Sequence, residues 1–287
     1  MSAQLLEGAP VAERVLAEVA EQVKRLADVG VTPGLGTVLV GDDPASARYV
    51  GKKHEACAQV GMASIHEHLP ADVGQDELIT TITRFNDDPA VDAYLVQLPL
   101  PKGLDEEAVL LAIDPDKDAD GLHPVNLGRL VIGAGGPTPC TPAGIQALLV
   151  HYGIHIEGRH VVIVGRGITL GRPLSLLLTL KKPNANAAVT VVHTGVKDLA
   201  TYTRQADILV AAAGQAGLIQ PDMVKPGAVV VGGGQSFEGK RVLSDVDESV
   251  GEVASWITPR VGGVGPTTVA MLLRNTVRAA ERRAAVH

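Results

Sequence analysis

The stretch Val161-Val-Ile-Val-Gly-Arg-Gly-Ile-Thr-Leu-Gly-Arg-Pro173 decides the fold. Its first four residues are all β-branched and read as a strand buried on both faces, the habit of a parallel sheet. Gly165, Gly167 and Gly171 follow at once, and Pro173 falls in the first turn of a helix, where a missing N–H costs little. A strand that ends in side-chain-free backbone against a helix N-terminus makes an anion site. Main-chain N–H groups can reach a phosphate there, and the helix dipole favours negative charge. The spacing, G-x-G-x-x-x-G, is one residue longer than the usual dinucleotide fingerprint. The turn reads as a nucleotide cradle or a tight structural corner, and its strand–turn–helix setting favours the cradle.

Outward from that turn, strand and helix signals alternate along the whole chain. Val11, Val15, Val19, Val23 and Leu26 fall at helical spacing, predicting a helix over 10–29. Gly34 to Gly41 reads as a buried strand, and Asp42 and Asp43 precede a helix over roughly 44–60. A strand over Val91–Gln97 stops at Leu98-Pro-Leu-Pro101, where prolines forbid helix and ladder alike. After a Gly/Pro-rich linker at 133–139, a helix from about Pro142 leads into the Val161 strand. Further strands read at 188–192, 207–213 and 228–231, and a final helix over about 267–283. Such alternation predicts an α/β fold with a mostly parallel sheet. Gly and Pro cluster near 138–142, where the βαβ register restarts, so a domain boundary is placed there.

At 287 residues the chain has room for two domains. Hydrophobic residues at 46% and charged residues at 20% give a globular balance. Aromatics are only 2%, so the core must be built from Val, Leu, Ile and Ala, and bases find no stacking platform. With a net charge of −7 as well, nucleic acid is not an expected partner. No apolar run is long enough to span a bilayer and no secretory signal is visible, so no membrane partner is expected either. Cys57 and Cys140 are too few for a disulfide framework and neither sits in a CxxC pair, which fits a reducing cytoplasm.

Four positions in the first half can carry chemistry. Tyr49 and Lys53 stand four apart on the second helix and project from one face. An amine beside a phenol can transfer protons if burial lowers the lysine pKa; the plainer reading is a surface lysine whose stem covers a tyrosine ring. Lys52 points roughly 100° away, and Cys57 reads as a small core residue. Gln97 ends an otherwise apolar strand, where open α/β sheets place ligands, and either orients an amine or caps its own strand. In Lys117-Asp-Ala-Asp-Gly-Leu-His-Pro-Val-Asn126, Asp118, Asp120 and His123 lack further carboxylates at ligand spacing, so no metal is expected. Asp120, before a glycine, is the better placed to grip a ligand. In the second half, the 188–192 strand runs into His193-Thr-Gly-Val-Lys197, with no acid for ribose hydroxyls. Arg166, Thr194 and Lys197 form a cationic, hydroxyl-bearing pocket that suits a 2′-phosphate, favouring NADP over NAD; His193 reads as a solvated loop residue.

In order, these segments resemble the bifunctional methylenetetrahydrofolate dehydrogenase/methenyltetrahydrofolate cyclohydrolase family. The matching stretches are Tyr49-Val-Gly-Lys-Lys53, Val96-Gln-Leu-Pro-Leu-Pro101, Lys117-Asp-Ala-Asp-Gly121, Pro139-Cys-Thr-Pro142, Val164-Gly-Arg-Gly167 and Gly262-Gly-Val-Gly-Pro266. The resemblance implies a folate-binding catalytic domain over 1–140 joined by the terminal helix 267–287, and an NADP-binding Rossmann domain over 141–266. It also implies a homodimer paired through the Rossmann lobes, acting on tetrahydrofolate one-carbon derivatives. Lys53 matches the family's catalytic lysine, Gln97 its orienting partner and Tyr49 a ring packed on the folate. Asp120 would accept hydrogen bonds from the pterin. Gly165, Arg166, Gly167 and Thr194 match cofactor positions, with Thr194 for the more usual Ser, and Gly262, Gly263 and Pro266 belong to a loop bordering the folate pocket.

This chain departs from the family pattern at three places. Gly232-Gly-Gly-Gln-Ser236 stands where Asp-Val-Gly-Ile-Asn is usual, Ser244-Asp-Val246 replaces Gly-Asp-Val, and Arg260-Val261 replaces Val-Pro. Flexible glycines and a polar Gln235 would loosen cofactor placement. A paralogue keeping the cyclohydrolase with a weak dehydrogenase is one alternative, and a non-catalytic folate- or nucleotide-binding module is another.

Overall fold

A computed structural model describes residues 2–238 and 241–286. In chain order its elements are β1 (Gln4–Leu5), α1 (Gly8–Ala27), β2 (Gly34–Val40), α2 (Pro44–Val60), β3 (Ala63–Leu69), α3 (Gln75–Asp87), β4 (Ala93–Val96), α4 (Glu106–Ala112) and α5 (Pro124–Val131). They continue with α6 (Cys140–His151), β5 (His160–Val164), α7 (Gly171–Thr179), β6 (Ala188–Val192), α8 (Ala200–Thr203), β7 (Ile208–Ala211), β8 (Val229–Gly232), β9 (Gln235–Glu238), β10 (Arg241–Ser244), β11 (Trp256–Ile257) and α9 (Val264–Val286). The chain divides into two compact units. One takes the N-terminal stretch up to Ala12 with Pro139–Thr268, and the other Glu13–Thr138 with the chain from Val269 onward.

The second of these units is built on a three-stranded parallel sheet, β3-β2-β4. Every residue of the central β2 is buried, which is why its sequence is apolar apart from Thr37, whose hydroxyl pairs with the His66 ring at 2.9 Å. The edge strand β3 alternates half-buried and exposed residues up to the buried Leu69, with Ser64, His66 and His68 facing out. The last helix returns to this unit, as expected. Asn275 on α9 donates from Nδ2 to Ala119 O and Thr138 O, both at 2.9 Å. Arg283 grips the buried Asp92 carboxylate in a fork of 2.7 and 3.2 Å, a planar pairing of the stronger kind. Gln22 on α1 donates to Glu281 at 3.0 Å.

The other unit is a six-stranded sheet in the order β1-β11-β8-β7-β5-β6, with every pairing parallel. Side chains of β5 alternate between two cores: Val161 and Ile163 enter one, Val162 and Val164 the other. Each such burial contributes about 1.5–3 kcal/mol before the entropy of ordering is subtracted. Outside this sheet, β9 and β10 form an antiparallel hairpin. The α/β class read from the sequence is therefore the observed one, in two parallel sheets.

Candidate active site

Local signals in the sequence set α2 in place. Asp43 caps it, its Oδ2 accepting from Ser46 N at 2.8 Å, Pro44 opens the first turn, and Gly61 closes the helix in the left-handed conformation. The buried positions of α2 include Ser46, Val50, Lys53, Cys57 and Val60, one stripe at helical spacing. Lys53 thus lies on the apolar stripe and is only 8% exposed. Tyr49, one turn earlier, is 36% exposed beside that stripe. Lys52 is exposed. Cys57 is buried, and loss of water pushes its thiol up to about 11, so it is held as an inert thiol.

The partner of Lys53 comes from β4. Gln97 follows that strand and still donates its N–H to Val38 O on β2 at 2.8 Å. Lys53 Nζ donates to Gln97 Oε1 at 3.0 Å, while Gln97 Nε2 donates to Leu98 O at 2.7 Å. The second bond fixes which way the amide points, leaving the oxygen toward the amine. Asp120 is half-buried, and its carboxyl lies above the usual carboxylate range. Burial is the main cause; the Lys53 charge opposes it and the Asp118 charge adds to it. Lys53, Gln97 and Asp120 are therefore brought together. An amine on an apolar face, an amide oxygen that orients it and a carboxyl reluctant to ionise are the parts of a proton-transfer site.

The supporting roles of three residues escaped the sequence reading, which weighed Asp118 only as a metal ligand. Asp118 is buried and accepts three hydrogen bonds, two from the backbone of its own loop and one from α5. Asn126 supplies one of them, and Asn275 holds the carbonyl of Ala119, the residue before Asp120. The signal for the last two was present: an asparagine on the buried side of an apolar helix needs polar partners. Among the described residues, no group of three or more His, Cys, Asp or Glu is placed to hold a metal ion.

In the dinucleotide-type unit, Gly165 has φ +125°, and a Cβ there would stand 2.1 Å from Ala212 O. A Cβ on Gly171 would stand 2.2 Å from Gly165 O. Gly167 is different, since a Cβ there would meet nothing within 4 Å. The first and third glycines are thus needed by the fold, while the second faces open space where a ligand can approach its backbone. Arg166 is exposed, and its Nη1 lies 3.2 Å from His193 Nε2 at the end of β6. His193, expected as a solvated loop residue, is half-buried against that guanidinium. Thr194 and Lys197 are exposed in the same loop. Gly262 has φ +86° and its carbonyl accepts from Gly8 N at 2.7 Å. Gly263 is packed against Thr258, and Pro266 lies in the first turn of α9.

The three departures prove to be one connected patch. The N–H groups of Gly233 and Gly234 both donate to Ala211 O, at 2.8 and 2.9 Å, and Gly232 N donates to Thr258 Oγ1 at 2.7 Å. A Cβ on Gly234 would stand 2.0 Å from the buried Asp245 carboxylate, which itself accepts from Ala213 N and Gly214 N at 2.7 and 3.0 Å. These glycines are close-packed and pinned, contrary to the expected looseness; the side chain of Gln235 lies outside the described residues. A Cβ on Gly232 would come within 2.7 Å of Ser244 Oγ. The Ser244 hydroxyl thus fills the space that a side chain at 232 would need. Arg260 belongs to the same patch, donating to Val242 O on β10 at 2.7 Å and pairing with Glu248 at 3.1 Å.

Fold and site together define a two-unit α/β enzyme with a dinucleotide-type Rossmann sheet. Residues 6–120 match the family profile described as tetrahydrofolate dehydrogenase/cyclohydrolase, catalytic domain, and residues 139–284 match its NAD(P)-binding domain. A bifunctional protein FolD from Syntrophotalea carbinolica is 66% identical over 284 residues, covering 99% of this chain and 98% of that protein. The crystal structure of the Campylobacter jejuni bifunctional enzyme FolD superposes with a TM-score of 0.93 at 42% identity, covering 98% of this chain and all (100%) of that one. The Trypanosoma brucei methylenetetrahydrofolate dehydrogenase-cyclohydrolase, solved with NADP and an inhibitor, gives 0.93 at 38% identity, covering 99% of each chain. This chain belongs to the tetrahydrofolate dehydrogenase/cyclohydrolase family.

Proposed function

We propose that this chain oxidises 5,10-methylenetetrahydrofolate with NADP to 5,10-methenyltetrahydrofolate, and hydrolyses that product to 10-formyltetrahydrofolate. The observation that carries the reading is the 3.0 Å bond from buried Lys53 to Gln97, beside Asp120. The close relatives bear the same bifunctional name, and the trypanosomal one was solved with NADP.

The Rossmann unit fits the coenzyme. The strained Gly165, its own N–H held by Val192 O, turns the chain so that the backbone of the open Gly167 faces solvent, Arg166 offers a guanidinium, and the end of β6 carries no acid to repel a 2′-phosphate. Gly165, Arg166, Gly167 and Thr194 would hold NADP, which when bound supplies the hydride acceptor. Arg166→Ala is expected to raise the KM for NADP roughly 10- to 100-fold, the worth of a charge-assisted hydrogen bond, and to leave the KM for NAD unchanged. Steady-state kinetics with both coenzymes decide this, and equal losses with the two would remove Arg166 from the 2′-phosphate.

In the catalytic unit, Asp120 accepts from the pterin amino and ring N–H groups and Tyr49 packs on the ring system. The first step needs alignment more than a base, because the nitrogens flanking the one-carbon bridge stabilise the cation that forms. In the second, water attacks that cation and the ring opens. Lys53, oriented by Gln97, relays the protons, and the cation beside it favours the neutral amine. Gly262, Gly263 and Pro266 are assigned to the folate-side border. A 1–140 catalytic domain with 267–287 and a 141–266 coenzyme domain go with this assignment, save that the chain up to Ala12, with β1, clusters with the coenzyme unit. So does a homodimer through the Rossmann units, supported by the free edge of β6 with Val191 37% exposed. A cytoplasmic setting is supported by the two cysteines, Cys57 and Cys140, being too few for a disulfide framework and both buried.

The test supplies methylenetetrahydrofolate with NADP or NAD and follows reduced coenzyme and methenyl product together. Coupled appearance of both is the expected result. Hydrolysis of added methenyltetrahydrofolate without any coenzyme reduction would reduce the assignment to the cyclohydrolase half.

A further inference from the structure

We infer that Asp118 is the positioning residue for Asp120, fixing the folate-facing carboxyl through the loop wrapped around its own carboxylate. This rests on the reading of Asp120 as the pterin anchor. Asp118 is 3% exposed. Its Oδ1 accepts from Gly121 N at 2.9 Å, and its Oδ2 from His123 N at 2.8 Å and Asn126 Nδ2 at 2.9 Å. The backbone from 118 to 123 therefore closes on this one carboxylate, with Gly121 turning the chain at φ +73°. Asp120 is the residue held between them.

The flanking backbone is pinned as well. Tyr94 on β4 donates to Lys117 O at 2.8 Å and accepts from Ala119 N at 3.1 Å, so the loop continues the sheet for one rung. Asn275 holds Ala119 O from α9. Asn126 is held in turn by Pro115 O at 2.7 Å and by Arg129 at 2.9 Å. Thus the residue before Asp120 is fixed at both its N–H and its C=O, and the residue after it at its N–H. The donor on that last contact has no acceptor other than Asp118 among the hydrogen bonds of the loop. The same strand β4 leads into Gln97, so one element sets both partners of the ligand. The titratable groups around the pair are Lys53 from α2, Tyr94 from β4, and His123 and Arg129 at and on α5.

An asparagine at 118 has the right shape and the wrong chemistry, because its NH₂ must face one set of N–H donors. Asp118→Asn is expected to raise the KM for methenyltetrahydrofolate about 10-fold or more, with kcat changed less and coenzyme binding unchanged. It should also move the acid limb of folate binding to lower pH, since the neighbouring charge that helps keep Asp120 protonated is gone. That shift reports the lost charge, whereas the rise in KM with little change in kcat reports the lost positioning. Asn126→Ala, which removes one donor and leaves Asp118 in place, should raise the same KM several-fold without the pH shift. Thermal melts and coenzyme binding report whether each variant folds. Wild-type KM and pH profile in Asp118→Asn, or wild-type KM in Asn126→Ala, would overturn the proposal provided Asp120→Asn still weakens folate binding. If Asp120→Asn itself leaves folate binding intact, the anchor reading fails, and this inference with it.

Discussion

Replacing Lys53 by methionine is expected to abolish hydrolysis of added methenyltetrahydrofolate, a fall of roughly 10²- to 10⁴-fold, the usual worth of a placed acid–base group. The protein should stay folded. Lys53 is one step of the apolar stripe it shares with Val50 and Cys57, and an unbranched thioether fills that volume without a charge to bury. What the variant loses is the donor to Gln97 and the positive charge that restrains Asp120. The sign of the second effect is fixed. Lys53 lowers the Asp120 pKa, so its removal raises that pKa further, and the ionised carboxylate is lost on acidification at a higher pH than in the wild type. Decay of methenyl absorbance across a pH series reads both effects. Hydride transfer should fall less, because that step relies on alignment. Undiminished hydrolysis would remove Lys53 from its assigned role.

Gly165→Ala should unfold or badly loosen the coenzyme unit, at a cost of about 3 kcal/mol or more. The added carbon meets the backbone carbonyl of Ala212 at 2.1 Å, and φ +125° is a conformation L side chains rarely adopt. Neither obstacle can be relieved by turning a side chain, since Gly165 N is tied to Val192 O at 2.8 Å and Ala212 N to Val164 O at 2.7 Å. Gly167→Ala is the matched control: its carbon enters open space, so the melting temperature should hold while NADP binding weakens. Equal melting curves for wild type and Gly165→Ala would refute the packing argument.

The sequence was most readable where one physical rule acted alone. The β-branched run of β5, the Asp43–Pro44 start and Gly61 stop of α2, and the apolar block of β2 all lie where periodicity and capping place them. β3 was not legible, because His66, Glu67 and His68 give an edge strand a polar look. Nor was α3, whose buried stripe of Leu78, Thr81, Ile82 and Phe85 depends on a threonine, and whose N-cap is Gly74 with no side-chain bond. α5 begins on an unusual cap, the ring of His123. In the site, Lys53 inside α2, Gln97 after β4 and Asp120 in its loop were visible as polar candidates, but residue type alone left plainer readings open, and the resemblance of the surrounding motifs set them apart. Asp118 and Asn275 did not, since their value lies in contacts between segments far apart in the chain. Glycine content misled at 232–234: composition speaks of freedom, whereas packing against Asp245 and Ser244 demands small residues there.

The bond from Asn275 to Ala119 spans 156 positions. During synthesis at about 5–20 residues per second, the loop carrying Asp120 leaves the ribosome roughly 8–30 s before its clamp does. For that interval the segment has its sheet rung to β4 and its Asp118 turn but no helix behind it. The folate side of the protein is thus begun early and finished last, and a nascent chain halted before α9 would carry every proposed catalytic side chain without the backing that steadies one of them.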